Sequence, residues 1–457
     1  MSPVQDALLP LEEILSRLER ILAGSPADAT ELAWLEVRRG RETNGRYRRD
    51  TFQYRERTIL VRVQESGRIG YHRTEAADLS DLENALRVAL AQARLAPPVA
   101  AELRPRLANG PQGGEALPSA SLPALFDPEV ARLTQARAKE MVQGWAERNE
   151  QVRIGWAEGR AVVVNSRGLR RAAEATAVSI EARCGRGPGA GQAASASRHL
   201  ATLAPQGTIE RARRRQAPQS LGVEGPPSYS VPTVLSQEAV ASLLDLLNRY
   251  ALSADAFLQG TSLLRGNLGN PVFHRAVSLR DDPTDPRGLP FPFDIMGWAT
   301  RPVDLIEEGV LLTPAVDERL ACEIGRPPTP HRIGPDESMA THLFLRSGPL
   351  SEAELVRVAG DGIWIGGLEP IECFDAQALR FRAVARGVRR VAGGLLGRAL
   401  PDLVWEDNLG SVLARVRAVG GEPVVIATRE GFLGATTTPA LAVAASEEVA
   451  ELRPLRE

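Results

Sequence analysis

The sequence predicts an α+β fold. A small N-terminal α/β domain is followed by a middle domain of one helix plus an antiparallel meander. A larger β-rich C-terminal domain, with a strongly twisted or barrel-like sheet, completes it. Three observations lead there. A chain of 457 residues exceeds one ordinary domain, and its 43% hydrophobic content can bury a sizeable core. Two stretches rich in Pro, Gly, Ala and Ser, at 98–123 and 219–232, interrupt the apolar periodicity. Before the second break helices and strands mix; after it, short apolar runs separated by Gly and Pro dominate. The division is therefore 1–97, a linker at 98–123, 124–226 and 227–457.

In the first block, residues 7–23 have the apolar spacing of an amphipathic helix. Strand patterns follow at Leu32–Arg39, Thr51–Gln53 and Thr58–Gln64, the last alternating well. Ser66, Gly67 and Arg68 form a turn into a hairpin return. Residues 79–94 read as a helix, with Ser80 as cap and Glu83 completing a capping box. The middle block starts a helix at Asp127, with Pro128 in its first position. Strands follow on either side of the turn Asn165-Ser166-Arg167-Gly168.

The last block opens with a helix over 236–254. Ser236 is its cap, and Val240, Leu243, Leu244, Leu247, Tyr250 and Ala251 mark one buried face. Beyond it, runs such as GVLLTPAV, THLFLRSG, GIWIGGLEPIECF and PVVIATREG read as strands.

The net charge of −2 gives no general attraction to nucleic acid or anionic membrane. Lys139 is the only lysine, so the positive charge is nearly all arginine. The densest basic run, Arg211–Arg215, lacks interleaved aromatics and reads as a solvated face. Cys184, Cys322 and Cys373 are too few and too scattered for a disulfide framework and read as small hydrophobes. The N-terminal stretch has neither a basic start nor an apolar core, and no apolar run approaches a membrane span. A cytoplasmic protein is the expectation.

Candidate chemistry is sparse. A zinc peptidase needs imidazole or thiolate ligands plus a carboxylate base. His72, His199, His274, His331 and His342 never share a helical turn. His331 and His342 lie in one segment, the first on a loop flanked by Pro330 and Pro335, and both read as surface or supporting residues. Gly185–Gly191 lacks the Lys-Ser/Thr of a phosphate loop and reads as a plain turn. Asp281, Asp282, Asp285 and Asp294 could hold a hard cation, or form a chain of Asx and Pro turns. A Ser/His/Asp arrangement stays open, although no GxSxG elbow occurs.

One stretch carries a resemblance. Gly260-Thr261-Ser262, Asp281-Asp282, Arg287-Gly288, Asp294, Gly297, Thr300, Leu305 to Leu311 and Leu350 to Leu355 resemble the TldD/PmbA family of peptidases, most specifically over 234–365. The Gly-Arg-Ile-Gly-Tyr return at 67–71 resembles the family's N-terminal domain. The family pairs two related subunits. The TldD type carries zinc on HExxxH with a later Cys; the TldE (PmbA) type does not. With Gly260-Thr261-Ser262 in register, the two His positions fall on Asp245 and Tyr250, the Glu on Leu246 and the Cys near Ala427.

The resemblance therefore implies a metal-free, TldE-like subunit with no catalytic residues of its own. Zinc is expected in a TldD-type partner of a heterodimer that encloses a chamber and degrades or trims peptides. It also implies largely sequence-independent capture of extended peptide by strand addition. The segment 369–390 departs from the family pattern and bears on the shape of that chamber. The family's older label as a modulator of DNA gyrase finds no DNA-binding pattern here. Two alternatives remain: a homodimeric peptide-binding or assembly protein without a peptidase partner, and a hydrolase using the carboxylates Asp281 to Asp294.

Overall fold

Long antiparallel strands dominate the chain between its first two described helices. A computed structural model describes residues 8–45, 51–101, 104, 106–109, 122, 124–218, 230–334, 337–428, 434–446 and 451–454. Helix α1 (Leu11–Ala23) leads into strands β1 (Ala29–Thr43), β2 (Phe52–Glu65) and β3 (Arg68–Glu75), then helix α2 (Asp81–Leu95). Helices α3 (Pro128–Ala131) and α4 (Gln135–Trp145), strands β4 (Glu150–Asn165), β5 (Arg170–Cys184) and β6 (Gly191–Ser197), and helix α5 (Pro205–Arg215) follow. Most of 98–123, and 219–229, lie outside the described residues.

These strands form one antiparallel sheet in the order β3-β2-β1-β4-β5-β6. Pairing of β1 with β4, from Glu31↔Asn165 to Thr43↔Arg153, joins the first and second sequence blocks. Strand β2 runs unbroken where the sequence divides it into two. Its charged middle is held in the ladder because Arg57 lies opposite Glu36 and pairs with its buried carboxylate at 2.8 Å. Ile14, Leu18 and Ile21 of α1 pack with Leu82 and Ala85 of α2 over Leu32, Trp34, Ile59 and Val61. Two glycines admit helices close to strands. A Cβ on Gly70 would lie 2.0 Å from Ala89 O of α2, and one on Gly191 would lie 1.9 Å from Ala212 O of α5.

Two helix starts differ from expectation. Ser80 does not cap α2: its hydroxyl and N–H both donate to Asp78, so the expected box with Glu83 does not form. Glu83 pairs instead with Arg17 at 2.8 Å. Asp127 does cap, accepting from Glu129 N at 2.8 Å, but that helix ends after one turn. A second cap, Thr134, starts α4 afresh after the buried Leu133. The turn Asn165–Gly168 forms as expected, with Asn165 Oδ1 accepting from Arg167 N at 2.9 Å. Gly185–Gly191 is the turn region between β5 and β6.

The last block contains strand β7 (Thr233–Leu235), helices α6 (Gln237–Leu247) and α7 (Ala254–Leu258), and strands β8 (Leu279–Asp281), β9 (Val303–Glu307) and β10 (Val310–Leu311). Helix α8 (Glu318–Ile324), strand β11 (His342–Leu345), helix α9 (Glu352–Ala359) and strands β12 (Gly362–Ile365), β13 (Gly367–Asp375) and β14 (Arg380–Arg386) come next. Strands β15 (Arg389–Ala392), β16 (Leu395–Ala399) and β17 (Leu403–Asn408), helix α10 (Leu409–Ala414), and strands β18 (Val416–Val419), β19 (Val424–Ala427), β20 (Ala435–Thr438), β21 (Leu441–Val443) and β22 (Glu451–Pro454) complete it.

They form three sheets, ordered β10-β9-β8-β11-β20-β19, β16-β15-β12-β7-β21-β18 and β13-β14-β17-β22. The barrel-like expectation is corrected here. Closure requires first and last strands to pair, and among the described residues each sheet ends on two different edge strands. The reason is α6, whose Val240, Leu243, Leu244, Leu246 and Leu247 are all buried. It packs against β7, β13, β19 and β20, so strands of all three sheets surround a helix instead of wrapping on themselves.

Candidate functional site

Helix α6 starts where β7 ends, and Ser236 ties the two together. Its hydroxyl accepts from Ala239 N at 3.2 Å and donates to Gly366 O at 2.6 Å, just beyond β12. The capping expectation thus holds, and it anchors the helix to the neighbouring parallel strand. The expected single helix over 236–254 is subdivided. At Asn248–Leu252 the backbone widens into a π turn, and Ser253 then caps α7. Asn248 Nδ2 donates to Ala340 O at 2.7 Å and pins the widened turn. The Gly-Thr-Ser at 260–262 closes the unit: Thr261 N and Ser262 N both donate to Ala256 O, and Ser262 Oγ donates to Ala251 O at 2.8 Å.

On this frame Asp245 is half-buried and Leu246 is 6% exposed. Tyr250 sits half-buried in the π turn, packed against the core. Ala427 is exposed on β19, the edge strand that lies against α6. The structure thus brings together the helix and the strand that carry all four positions. Leu246 offers no ionisable atom, and its burial among Leu243 and Leu247 gives it a packing role. Among the described residues no group of three or more His, Cys, Asp or Glu is placed to hold a metal ion.

The aspartates and two of the histidines converge elsewhere. The surface reading of His331 and His342 is corrected: they are 1% and 3% exposed. Asp281 lies in β8 and accepts from His331 Nε2 at 3.0 Å, His342 N at 2.6 Å and Thr341 N at 3.0 Å. His331 Nδ1 meets Thr329 Oγ1 at 2.7 Å. This Thr-His-Asp chain has the connectivity of a nucleophilic triad. However, His331 and Asp281 are fully buried and Thr329 Oγ1 also accepts from Val316 N at 2.8 Å, so the chain is a packing device.

Burial acts to raise the Asp281 pKa, but the two imidazoles and the hydrogen bonds outweigh it and hold the carboxyl below its ordinary value. Burial pushes the His342 imidazole down to about 4, against the pull of Asp281. Burial also pushes the Asp294 carboxyl up to about 6, although Met296 N, Trp298 N and Arg332 N all donate to it. Asp282 and Asp285 form Asx turns, accepting from Thr284 N at 3.1 Å and Arg287 N at 2.9 Å.

The other candidates disperse. His72 lies in β3, His199 contacts Ala124 O at 2.7 Å and His274 accepts from Ala276 N at 3.2 Å. Cys184 is buried, mainly by which its thiol is pushed up to about 12; Cys322 is exposed and Cys373 half-buried. The basic run on α5 is not a solvated face. Arg215 is 2% exposed and pairs with Glu238 and Glu352, both at 2.7 Å, while Arg213 pairs with Glu150 at 2.6 Å.

Sequence reading missed a groove of about 360 Å³ on the second sheet. Arg280, Arg287, Asp304, Phe344, Arg346 and Thr437 line it. Only the Arg280–Arg287 pair is visible in the chain. The rest meet through pairing of Phe344 with Arg280 and with Thr437. No described helix is long and apolar enough to cross a membrane.

Comparison with known proteins places this architecture. Residues 228–447 match the PmbA/TldA metallopeptidase C-terminal domain. A protein of Methanothermobacter thermautotrophicus named metalloprotease is 26% identical over 221 residues, 47% of this chain and 48% of its own length. One of Archaeoglobus fulgidus with the same name is 26% identical over 220 residues, 48% of this chain and 51% of its own. The matched region thus spans about half the length of these relatives.

Among solved structures, a Thermotoga maritima protein described as a candidate modulator of a DNA gyrase superposes with a TM-score of 0.76 at 21% identity, covering 96% of this chain and 100% of that one. TldE from Thermococcus kodakarensis superposes with a TM-score of 0.76 at 19% identity, covering 95% and 99%. At these identities the likeness is one of fold.

Proposed function

The chain belongs to the TldD/PmbA family through residues 228–447, and from that premise we propose that it is the non-catalytic, TldE-like subunit of a zinc metallopeptidase complex that degrades or trims peptides. One observation carries the reading. The helix in register with the family's zinc motif is intact as a packing element, yet it presents Asp245, Leu246 and Tyr250. A buried leucine cannot shuttle a proton, and an aspartate plus a half-buried tyrosine make a poor zinc set. The fold likeness to an archaeal TldE is consistent with this. The partner in this reading is a TldD-type chain bearing the zinc, and the shared substrate is peptide or unfolded polypeptide.

The alternative hydrolase on Asp281 to Asp294 gains no support from the geometry. Asp281 and Asp294 are buried and spent on internal hydrogen bonds, and Asp282 and Asp285 on turns and on Arg280 and Arg287. The test is metal analysis with a peptidase assay on the purified chain, alone and mixed with a TldD-type partner. The expected outcome is no stoichiometric zinc and no cleavage alone, with cleavage and a mixed dimer on addition of the partner. Tight zinc with peptidase activity in the isolated chain would overturn the reading. A stable homodimer that ignores the partner would favour the binding-protein alternative.

A further inference from the structure

One buried arginine ties the first sheet to the C-terminal domain beside His342. Arg198, just past β6, is 3% exposed. Its Nη1 donates to Thr176 O of β5 at 2.9 Å. Its Nη2 donates to Leu289 O at 2.6 Å and to Pro290 O at 2.8 Å, both on the loop between β8 and β9. Ala196 of β6, Leu289 of that loop and Ala435 of β20 pack together next to it. Ala435 is the register partner of His342 in β11, so three segments far apart in the chain meet at this imidazole.

The groups around His342 come from every element packed on it. Burial opposes the imidazolium most; Arg198 from the first block and His331 from the segment after α8 add to it, against Asp281 of β8 and the Leu289 backbone. His331 is itself tied to Asp281 at 3.0 Å. Nδ1 of His342 meets Thr341 Oγ1 at 2.7 Å. Asp294 and Arg332 line the same small cavity as the two histidines. A neutral ring therefore fits the closed joint. A protonated ring would set a second cation against Arg198 in a desolvated place, where like charges repel strongly. Moving the loop away would admit water to both groups, so the open form takes up this proton before the closed form does. Asp294 acts in the opposite sense. Burial raises its carboxyl to about 6, so the closed form takes that proton first and blunts the response.

We propose that His342 is an acid-sensitive release for the loop that Arg198 ties to the first sheet: a proton on the imidazole frees Leu289 and Pro290 and loosens the joint while the sheets stay folded. The proposal goes beyond the peptidase reading and does not depend on it. The test is hydrogen exchange read by mass spectrometry on the full chain between pH 7 and pH 5, corrected for intrinsic rates, following peptides across 283–300. In the wild type, exchange of this loop should rise about threefold over that range, because Asp294 offsets much of the effect of His342. In Asp294→Asn the rise should exceed about tenfold. In His342→Gln the sign should reverse, with exchange slowing as pH falls. Peptides from β13 and β14 should keep their protection throughout. Should His342→Gln fail to fold, the contrast between Asp294→Asn and wild type still decides. An acid response that persists in His342→Gln, a rise no steeper in Asp294→Asn than in wild type, or protection lost evenly over β13 and β14 would each overturn the proposal.

Discussion

At the scale of single residues, burial converts polar groups into pH-sensitive parts of the fold. His342 has a folded pKa of about 4 against an ordinary 6.5, because burial disfavours the imidazolium. Below pH 6.5 the unfolded chain takes up this proton and the folded chain does not. The stabilisation is therefore complete above that pH and is lost as pH falls towards 4, by about 3 kcal/mol. Asp294 works the other way. Its folded pKa of about 6 lies above the ordinary 3.8, so the folded state takes the proton first and gains stability as pH falls through that window. His342→Gln removes only the first contribution. The stability gap between wild type and this variant should narrow by up to about 3 kcal/mol from pH 7 to pH 4 in urea titrations. A constant gap would show that the imidazole is not held neutral.

At the scale of elements, α6 depends on its cap as much as on its apolar sides. Ser236→Ala removes the acceptor for Ala239 N and leaves Gly366 O without its donor. A cost of about 2 kcal/mol is expected, half from the cap and half from the buried carbonyl; chemical denaturation measures it, and a loss under about 0.5 kcal/mol would refute the anchoring role. The helix was legible in the sequence because cap, apolar spacing and the Gly-Thr-Ser turn are local signals. Its subdivision was not. The π turn at Asn248–Leu252 is held by Asn248 reaching Ala340, a partner 92 residues away. Ser80 failed as a cap for a similarly unread reason: Asp78 two residues earlier takes its hydroxyl.

At the scale of the whole molecule, Arg215 joins the first sheet's helix α5 to the C-terminal domain. It meets Glu238 and Gln237 of α6, Glu352 of α9 and the face of Trp364 at 5.3 Å. Burial acts against the arginine's charge, but the two glutamates outweigh it and raise its pKa. Arg215→Ala would leave the half-buried Glu238 with only Arg211, at 3.6 Å, and would strip Glu352 of its guanidinium partner. A loss of about 3–5 kcal/mol is expected by chemical denaturation. Adding Glu238→Gln should recover part of it, and no recovery would show that packing, not charge, carries the tie. The sequence presents Arg215 as the end of an exposed basic run. Its partners lie 23 and 137 residues away, so charge spacing alone could not place it.

By itself the sequence determined the α+β class, the main helix with its cap, and the turns at 66–68 and 165–168. These rest on near-neighbour chemistry: side-chain caps, apolar period and glycine dihedrals. Only the tertiary structure decided that the sheets stay open around α6 and that His331 and His342 are buried with Asp281. It alone assembled the groove of Arg280, Phe344 and Thr437 from three strands. The physical reason is that desolvation and ion pairing depend on which distant segments share a core, and strand order, not spacing along the chain, sets those neighbours.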